Sequence, residues 1–595
     1  MRTFHLLISA ILIVSGCNRE DKKSIEQHTG KVNPVNCLTG VDPFGRSFSS
    51  IASLNEKKQV GLFFWLWIGQ PYATDIYDAT RILALPDGLN ILTGKDVPVS
   101  PNGQAHFWGE PIWQYYNSED EWVIRKQIQM LTLAGIDFIY FDTTNALIYK
   151  NVFMKILSVI NEYQEKGWNP PRVVFYTHSR SIRTTESIYR ELYEPGHFPT
   201  TWYRINGKPM IISYTKVEDD IAEAKSRGDN NYSPEPLPDE IRNFFHILKP
   251  QWPGDPVFEN GFPWVEWIYP QPLHTNVMNV TVASHPSVPM SFSLTRGLVN
   301  WGRGWNPDLS KNVSEDVDKG TFFQRQWDHA IKTNPDMISI GGWNEWIAYK
   351  QLWDGEYMMC DAVNKEYSRD IEPMNGGYQD AFYIQMIQNI RRYKGIGRQE
   401  QKKTGKKTVN IHGNISQWDN VYYSLKNIGC DDIGRNNQGA APTVHYEQQV
   451  PENILQEIKV SDDEEYIYFY IRGNKPFAVE SGNNVLNILI GTGEPGLRDW
   501  ECYEYIIGRD YTDNMTDINR IGKDFSVEAT GNADFVSNND VIQIRIQRKA
   551  VGLDKKDRFY FKIASGVEVS SDIMSYYTSG SVMPMGRLSY MYEMN

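Results

Sequence analysis

Basic residues are under-represented in this 595-residue sequence: 60 Lys and Arg stand against 73 Asp and Glu, for a net charge of −13. No stripe or block of Lys and Arg is present to track phosphates, which argues against nucleic acid as a partner. Cysteine is scarce too. Beyond Cys17, the thiols Cys37, Cys360, Cys430 and Cys502 are widely spaced with no CxxC pair, so a zinc site is not expected and at most a lone disulfide is. There is no HExxH, no close carboxylate cluster for a metal and no elbow motif for a Ser/His/Asp constellation; "GRGWN" (302–306) has neither the P-loop Lys nor the Rossmann spacing. No metal and no cofactor are expected. After the leader, no apolar run approaches the roughly eighteen residues of a membrane-spanning helix.

What is abundant is aromatic: 13% of residues, with 18 Trp and 34 Tyr. Flat apolar rings with polar edges are what sugar rings stack on, although they also fill ordinary cores. The length calls for more than one packed core, since single cores stop growing at roughly 250–300 residues. At the start, "MRTFHLLISAILIVSGC" has an early Arg, an apolar run from Leu6 to Val14 and a Val-Ser-Gly-Cys end that resembles a bacterial lipobox. The expectation is a signal peptide over 1–17 with Cys17 lipidated, which anchors an exported chain to an envelope membrane. A polar tether and lead-in follow over 18–57, and "REDKK" is similar to the export signals of Bacteroidetes surface lipoproteins.

From 58 to 397, strand-like runs alternate with amphipathic helical ones. The strands are read at 60–67, 136–142, 172–178, 209–214, 263–269, 278–284 and 337–343, with helices such as "DEWVIRKQIQMLTLAG" (120–135) and "KNVFMKILSVINEYQEKG" (150–167) between them. Seven strands of this kind over some 340 residues predict an α/β fold, a (β/α)8 barrel with long loops. A charged linker (398–408) leads to 409–595, where short alternating strands with Gly, Asn and Asp turns predict an all-β sandwich.

In a (β/α)8 barrel, polar residues at the C-terminal strand ends face the active site. Here these are Trp65, Trp67, Asp142 to Asn145, His178, Glu266, His285, Asn344 and Glu345. In "GGWNEWIAYK" (341–350) the strand-end Glu345 is either a catalytic group or a buried carboxylate paired to an Arg. Glycoside hydrolysis needs a proton for the leaving oxygen and a base or nucleophile on the other face, hence two carboxyl groups. Asp142 in "YFDTTN" is the first choice for a partner to Glu345, and Glu266, between Trp264 and Trp267, the second. Asn145, His178, His285 and Asn344 are candidates for sugar hydroxyls; Trp65, Trp67 and Trp346 are candidates for ring stacking.

"WNEW" at the end of an apolar strand, followed by "RDIEPMNGGYQDAFYIQMIQNIRRYKG", resembles the ending of glycoside hydrolase family 99 and its relatives, which include the family 71 α-glucanases. "HFWGEPIWQYYNSEDEWVIRKQIQMLTLAGIDFIYFDTTN" (106–145) resembles the early part of the same barrel, so the likeness spans about 58–397. The opening of the last part, "IHGNISQWDN" (411–420), resembles the first strand of family 9-like carbohydrate-binding modules. The resemblance implies hydrolysis of an α-linked mannan or glucan, with Glu345 assisting the sugar's own 2-hydroxyl. In that family's Asn-Glu-Trp-x-Glu pattern the second Glu falls on Ala348, which cannot give a proton. Either the acid comes from another strand end, or the chain is a surface glycan-binding lipoprotein that does not cleave. A transferase role in polysaccharide assembly fits poorly with export away from cytoplasmic sugar nucleotides. Oligomeric state is left open.

Overall fold

The computed structural model describes residues 32–594, apart from 95–96, 354, 398–405, 430–431 and 481–484. The leader with Cys17, the first part of the tether, most of the linker and Cys430 therefore lie outside the described residues. Among the others, Cys37 and Cys502 are buried and Cys360 is partly exposed.

Eight strands of the N-terminal half run parallel: β1 (Gln59–Phe64), β2 (Phe138–Thr143), β3 (Arg172–Thr177), β4 (Lys208–Ile212), β5 (His246–Gln251), β6 (Gly261–Pro263), β7 (Val277–Val280) and β8 (Met337–Ile340). Their ladder order is β6-β5-β4-β3-β2-β1-β8-β7, so the first strand is flanked by the second and the last. That is a mixed α/β, barrel-like parallel sheet nearly closed on itself; it departs from a regular (β/α)8 barrel in that, among the described residues, no helix lies between β5 and β6 or between β6 and β7. At the seam, side chains take over from the ladder: Asn279 Nδ2 of β7 donates to the Trp264 carbonyl at 2.8 Å, and Ser339 Oγ of β8 to the Pro263 carbonyl at 3.0 Å.

The sequence pattern missed β5. "HILKPQ" carries a Lys and a Pro and is only half-buried over its first four residues, so it has neither the apolar run nor the alternation of a strand. The run at 263–269 is strand only up to Pro263.

Rings fill the barrel. Phe63, Phe138, Tyr140, Tyr176 and Phe262 are buried and meet at centroid distances of 5.2 to 6.4 Å. Gly61 of β1 permits this packing, because a Cβ there would lie 2.3 Å from the Phe138 ring. The helix Glu121–Ala134 starts on Asp120, whose Oδ1 accepts from the Val123 amide, and stops at Gly135 in the left-handed conformation at φ 77°. The helix Lys150–Glu165 buries Val152, Phe153, Ile156, Leu157, Ile160 and Tyr163, the apolar face that its spacing predicts.

The C-terminal half is a long antiparallel sheet folded over on itself. Strand Tyr466–Gly473 and strand Arg558–Ser565 lie far apart in ladder order, yet Phe469 packs on Phe559 at 6.2 Å and on Phe561 at 5.3 Å. Part of the lead-in belongs to this sheet: Leu38–Val41 pairs with Leu588–Glu593. "ISQW" does not open a strand. Ile415–Trp418 is a 3-10 turn whose Trp418 is buried against Tyr470, with its Nε1 donating to Gln543 Oε1 at 2.7 Å.

Candidate active site

The side chains expected at the strand ends divide into a wall, an ion-pair cluster and structural braces.

The wall grows from β1 and β2. Trp67, three residues past β1, has its ring near-parallel to those of Trp65 (centroids 4.4 Å apart), Tyr349 (5.7 Å) and Tyr149 (6.4 Å). Trp67, Tyr149 and Tyr349 are each partly exposed. The Trp67 Nε1 donates to Asp142 Oδ2 at 2.8 Å, while Asp142 Oδ1 accepts both from the Thr144 amide (3.0 Å) and from the Thr144 hydroxyl (2.7 Å). Asp142 thus caps its own loop, and it does so beneath the wall. Burial pushes its pKa up, against the pull of Trp67 and Thr144. With Oδ1 taking two donors and Oδ2 one, Oδ2 is the oxygen with room for a proton. Asn145 is exposed and donates to the Tyr149 hydroxyl at 2.6 Å.

The ion-pair cluster surrounds Glu345. Arg369 meets both of its oxygens, with Nη2 2.8 Å from each and Nε 3.1 Å from Oε2. The same Nη2 donates to Asp361 Oδ1 at 3.0 Å, Nη1 donates to His285 Nδ1 at 3.1 Å, and the guanidinium lies 5.0 Å from the Trp264 ring centroid. One cation therefore serves two carboxyl groups. Glu345 is enclosed, with 2% of its side chain exposed, and burial, reinforced by Asp361 and Asp370, pushes its pKa well up against Arg369. Asp361 reaches solvent with 30% of its side chain; burial raises its pKa, but Arg369 outweighs that and holds it below the usual carboxylate range. Asp361 is the ionised member, and Asp142 feels its charge.

His285, Cys360 and Asp361 bring ligand atoms within 4.8 Å of one another, the make-up of a metal site. The proton inventory does not fit one. Arg369 only donates, so His285 Nδ1 must accept, and the imidazole, its pKa lowered to about 4 by burial and by Arg369, then carries its single proton on Nε2, the atom that faces Cys360 and Asp361.

Several expected ligands are braces. Asn344 is buried and binds the Trp65 backbone, accepting from its amide at 2.9 Å and donating to its carbonyl at 3.3 Å, so its amide is not free for a sugar hydroxyl. Trp346 is no platform: it is fully buried, stacked on Trp108 at 4.6 Å, with its Nε1 bonded to Glu372. Glu266 turns away to pair with the buried His274 on the neighbouring edge strand. His178 stacks on Trp252 at 3.8 Å with its Nδ1 3.3 Å from Glu223, and Trp252 continues to Trp264 at 4.9 Å. Ala348 pairs with His106 across a short ladder and packs among Ala79, Ile82, Met359 and Val363, so the position of the family's second Glu faces an apolar cluster.

The sequence reading missed Asp361, Arg369, Tyr149 and Tyr349. A signal existed for Arg369, the first residue of the "RDIEP" stretch that carried the family resemblance. Asp361 sits in an irregular loop with no pattern of its own.

No family model matches the chain, and no curated protein matches it. Among solved structures it is similar to the GH99 endo-alpha-mannosidase from Bacteroides thetaiotaomicron, at 13% identity over 57% of this chain and 98% of that one, with a TM-score of 0.34. The same enzyme in complex with bis-tris-propane gives 13% identity, the same coverage and a TM-score of 0.28.

Proposed function

We propose that the barrel hydrolyses glycosidic bonds, with Asp142 as the acid and Asp361 as the base or nucleophile. The observation that carries this reading is a pair of carboxyl groups at one barrel mouth, Asp142 within reach of the charge on Asp361, whose surroundings push their proton affinities in opposite directions. An acid must hold its proton near neutral pH and its partner must not. Burial beneath Trp67 favours the proton on Asp142; Arg369 favours the bare carboxylate on Asp361. The partly exposed rings of Trp67, Tyr149 and Tyr349 supply the surface on which a sugar would stack.

In this reading Asp142 Oδ2 protonates the leaving oxygen, and Asp361 either takes a proton from water or attacks the anomeric carbon. Glu345 does not touch substrate. With both of its oxygens taken by Arg369, it is a positioning residue that fixes the guanidinium holding Asp361. The resemblance around "WNEW" makes α-linked mannan and glucan the first substrates to try. The lipobox-like leader supports an exported, lipid-anchored enzyme; among the described residues no helix is long and apolar enough to cross a membrane.

A second reading rests on Ala348 and on the Arg369 clamp on Glu345: a barrel that holds glycan without cutting it. Incubating the purified chain with α- and β-linked polysaccharides separates the two readings. Released reducing ends support hydrolysis; saturable binding with no release supports the binding protein; neither overturns the carbohydrate reading altogether.

A further inference from the structure

Between Tyr349 of the wall and Asp361 of the ion-pair cluster the chain makes an excursion, a hairpin of Gln351–Trp353 against Glu356–Met358. One foot of the hairpin carries a wall ring and the other carries the proposed base, so its position is tied to the site at both ends. Its outer strand ends in two apolar side chains left in water, Leu352 at 59% exposure and Trp353 at 52%. Of these, Trp353 is the one aligned with the site. Lys350, the one residue between strand Ile347–Tyr349 and the hairpin, turns its side chain over the Tyr357 ring at 5.5 Å, on the face shared by Leu352 and its partner Tyr357, so Tyr349, Gln351 and Trp353 fall on the other face, with Trp353 roughly 13 Å beyond Tyr349.

The indole is also held. Its ring is within 7° of parallel to that of the buried Phe292, centroids 6.3 Å apart. Arg296 lies over Phe292 at 3.8 Å and reaches across to Glu356 in the hairpin's return strand, Nη2 to Oε1 2.8 Å. A half-exposed indole braced on a buried ring, on the strand face that leads to an aromatic wall, is a prepared contact surface.

We propose that Trp353 is an outer sugar-binding subsite, continuous with the Trp67–Tyr349 wall and occupied by rings of a glycan too long to be held at the mouth alone. The inference rests on the carbohydrate reading above and adds to it a preference for polymeric over short substrates. The occupant is a neutral pyranose face, because the exposed ring is apolar and the guanidinium of Arg296 is already paired with Glu356.

The test measures Kd by affinity titration of the full chain, Trp353→Ala and Trp353→Phe with soluble α-mannan, α-glucan and the di- and hexasaccharides made from whichever polymer binds. Trp353→Ala is expected to weaken polymer and hexasaccharide binding about 5- to 10-fold, leave the disaccharide unchanged and be largely rescued by Trp353→Phe. An equal loss for all lengths would mean that Trp353 only supports the fold of the site, and no loss for the polymer would mean that no sugar sits there; either overturns the subsite and leaves the carbohydrate reading standing. Absence of binding by the parent to every glycan overturns both.

Discussion

At the scale of single residues, the division of labour around Arg369 generates the sharpest expectations. Its guanidinium is wholly buried and serves Glu345 and Asp361 together. Replacing it with Met leaves two carboxyl groups without their cation, and removing one member of a buried ion pair typically costs about 3–5 kcal/mol. Urea denaturation should show that loss for Arg369→Met and one of about 1–3 kcal/mol for Glu345→Gln, which keeps the shape but sets an amide NH2 against a guanidinium that donates to both oxygens. Activity should depend on pH in a bell. Asp361 works as the carboxylate, so the rate falls as pH drops through its lowered pKa; Asp142 works protonated, so the rate falls as pH rises through its raised one. Rate profiles of the parent and of Asp361→Asn check this: the variant should lose most of its rate, and what survives should lack the acid limb.

At the scale of elements, the piece that joins the mouth to the frame is Glu372. Its two oxygens accept from four donors on three separate segments: Trp113 Nε1 (2.9 Å) and Gln127 Nε2 (2.6 Å) on one oxygen, Tyr116 Oη (2.9 Å) and Trp346 Nε1 on the other. Burial raises its pKa to about 7 against the pull of those donors. Glu372→Gln turns one acceptor oxygen into a donor facing donors, so a loss of about 2–4 kcal/mol is expected in thermal or urea unfolding, from unsatisfied buried groups. Nothing near 372 in the sequence announces this, because the four donors come from as far away as residue 113.

Elements were legible in the sequence where one physical signal dominated. β2, "FIYFDT", is buried along its whole length and reads as a strand at once, and the helix at 150–165 shows its apolar face plainly. β5 was not, because a half-exposed strand with Pro and Lys has no periodicity to read. The site followed the same rule. Trp67 and Asp142 sit at strand ends, where barrel geometry points. Asp361 and Arg369 are brought to Glu345 by a hairpin and loops whose path depends on packing. The choice for Glu345 between catalytic group and Arg-paired carboxylate was visible from its strand-end position; only the fold shows that the Arg is 24 residues downstream.

At the scale of the whole molecule, barrel and sheet are tied by buried charges. Arg587 Nε meets Asp380 Oδ1 at 2.7 Å, Tyr577 donates to Oδ2 of the same Asp at 2.9 Å, and Arg435 Nε meets Asp120 Oδ2 at 2.7 Å, at the helix N-cap. Leu38–Val41, ahead of the barrel, is a strand of the C-terminal sheet. The two halves should therefore unfold together, in one calorimetric transition, and Asp380→Ala, which leaves Arg587 without this buried partner, should lower its midpoint by several degrees or split it in two. Two well-separated transitions in the parent would show that the halves are energetically independent.

The central claim is that Asp361 and Asp142 cut a glycosidic bond while Glu345 only positions. The most direct measurement is the rate of reducing-end release from α-linked mannan and glucan by the parent, Asp361→Asn, Asp142→Asn and Glu345→Gln, each first shown to be folded. The account predicts turnover by the parent, a fall of at least about 100-fold in each Asp variant, in line with loss of a general acid or base, and a milder fall in Glu345→Gln. Turnover that survives in both Asp variants and vanishes in Glu345→Gln would contradict it.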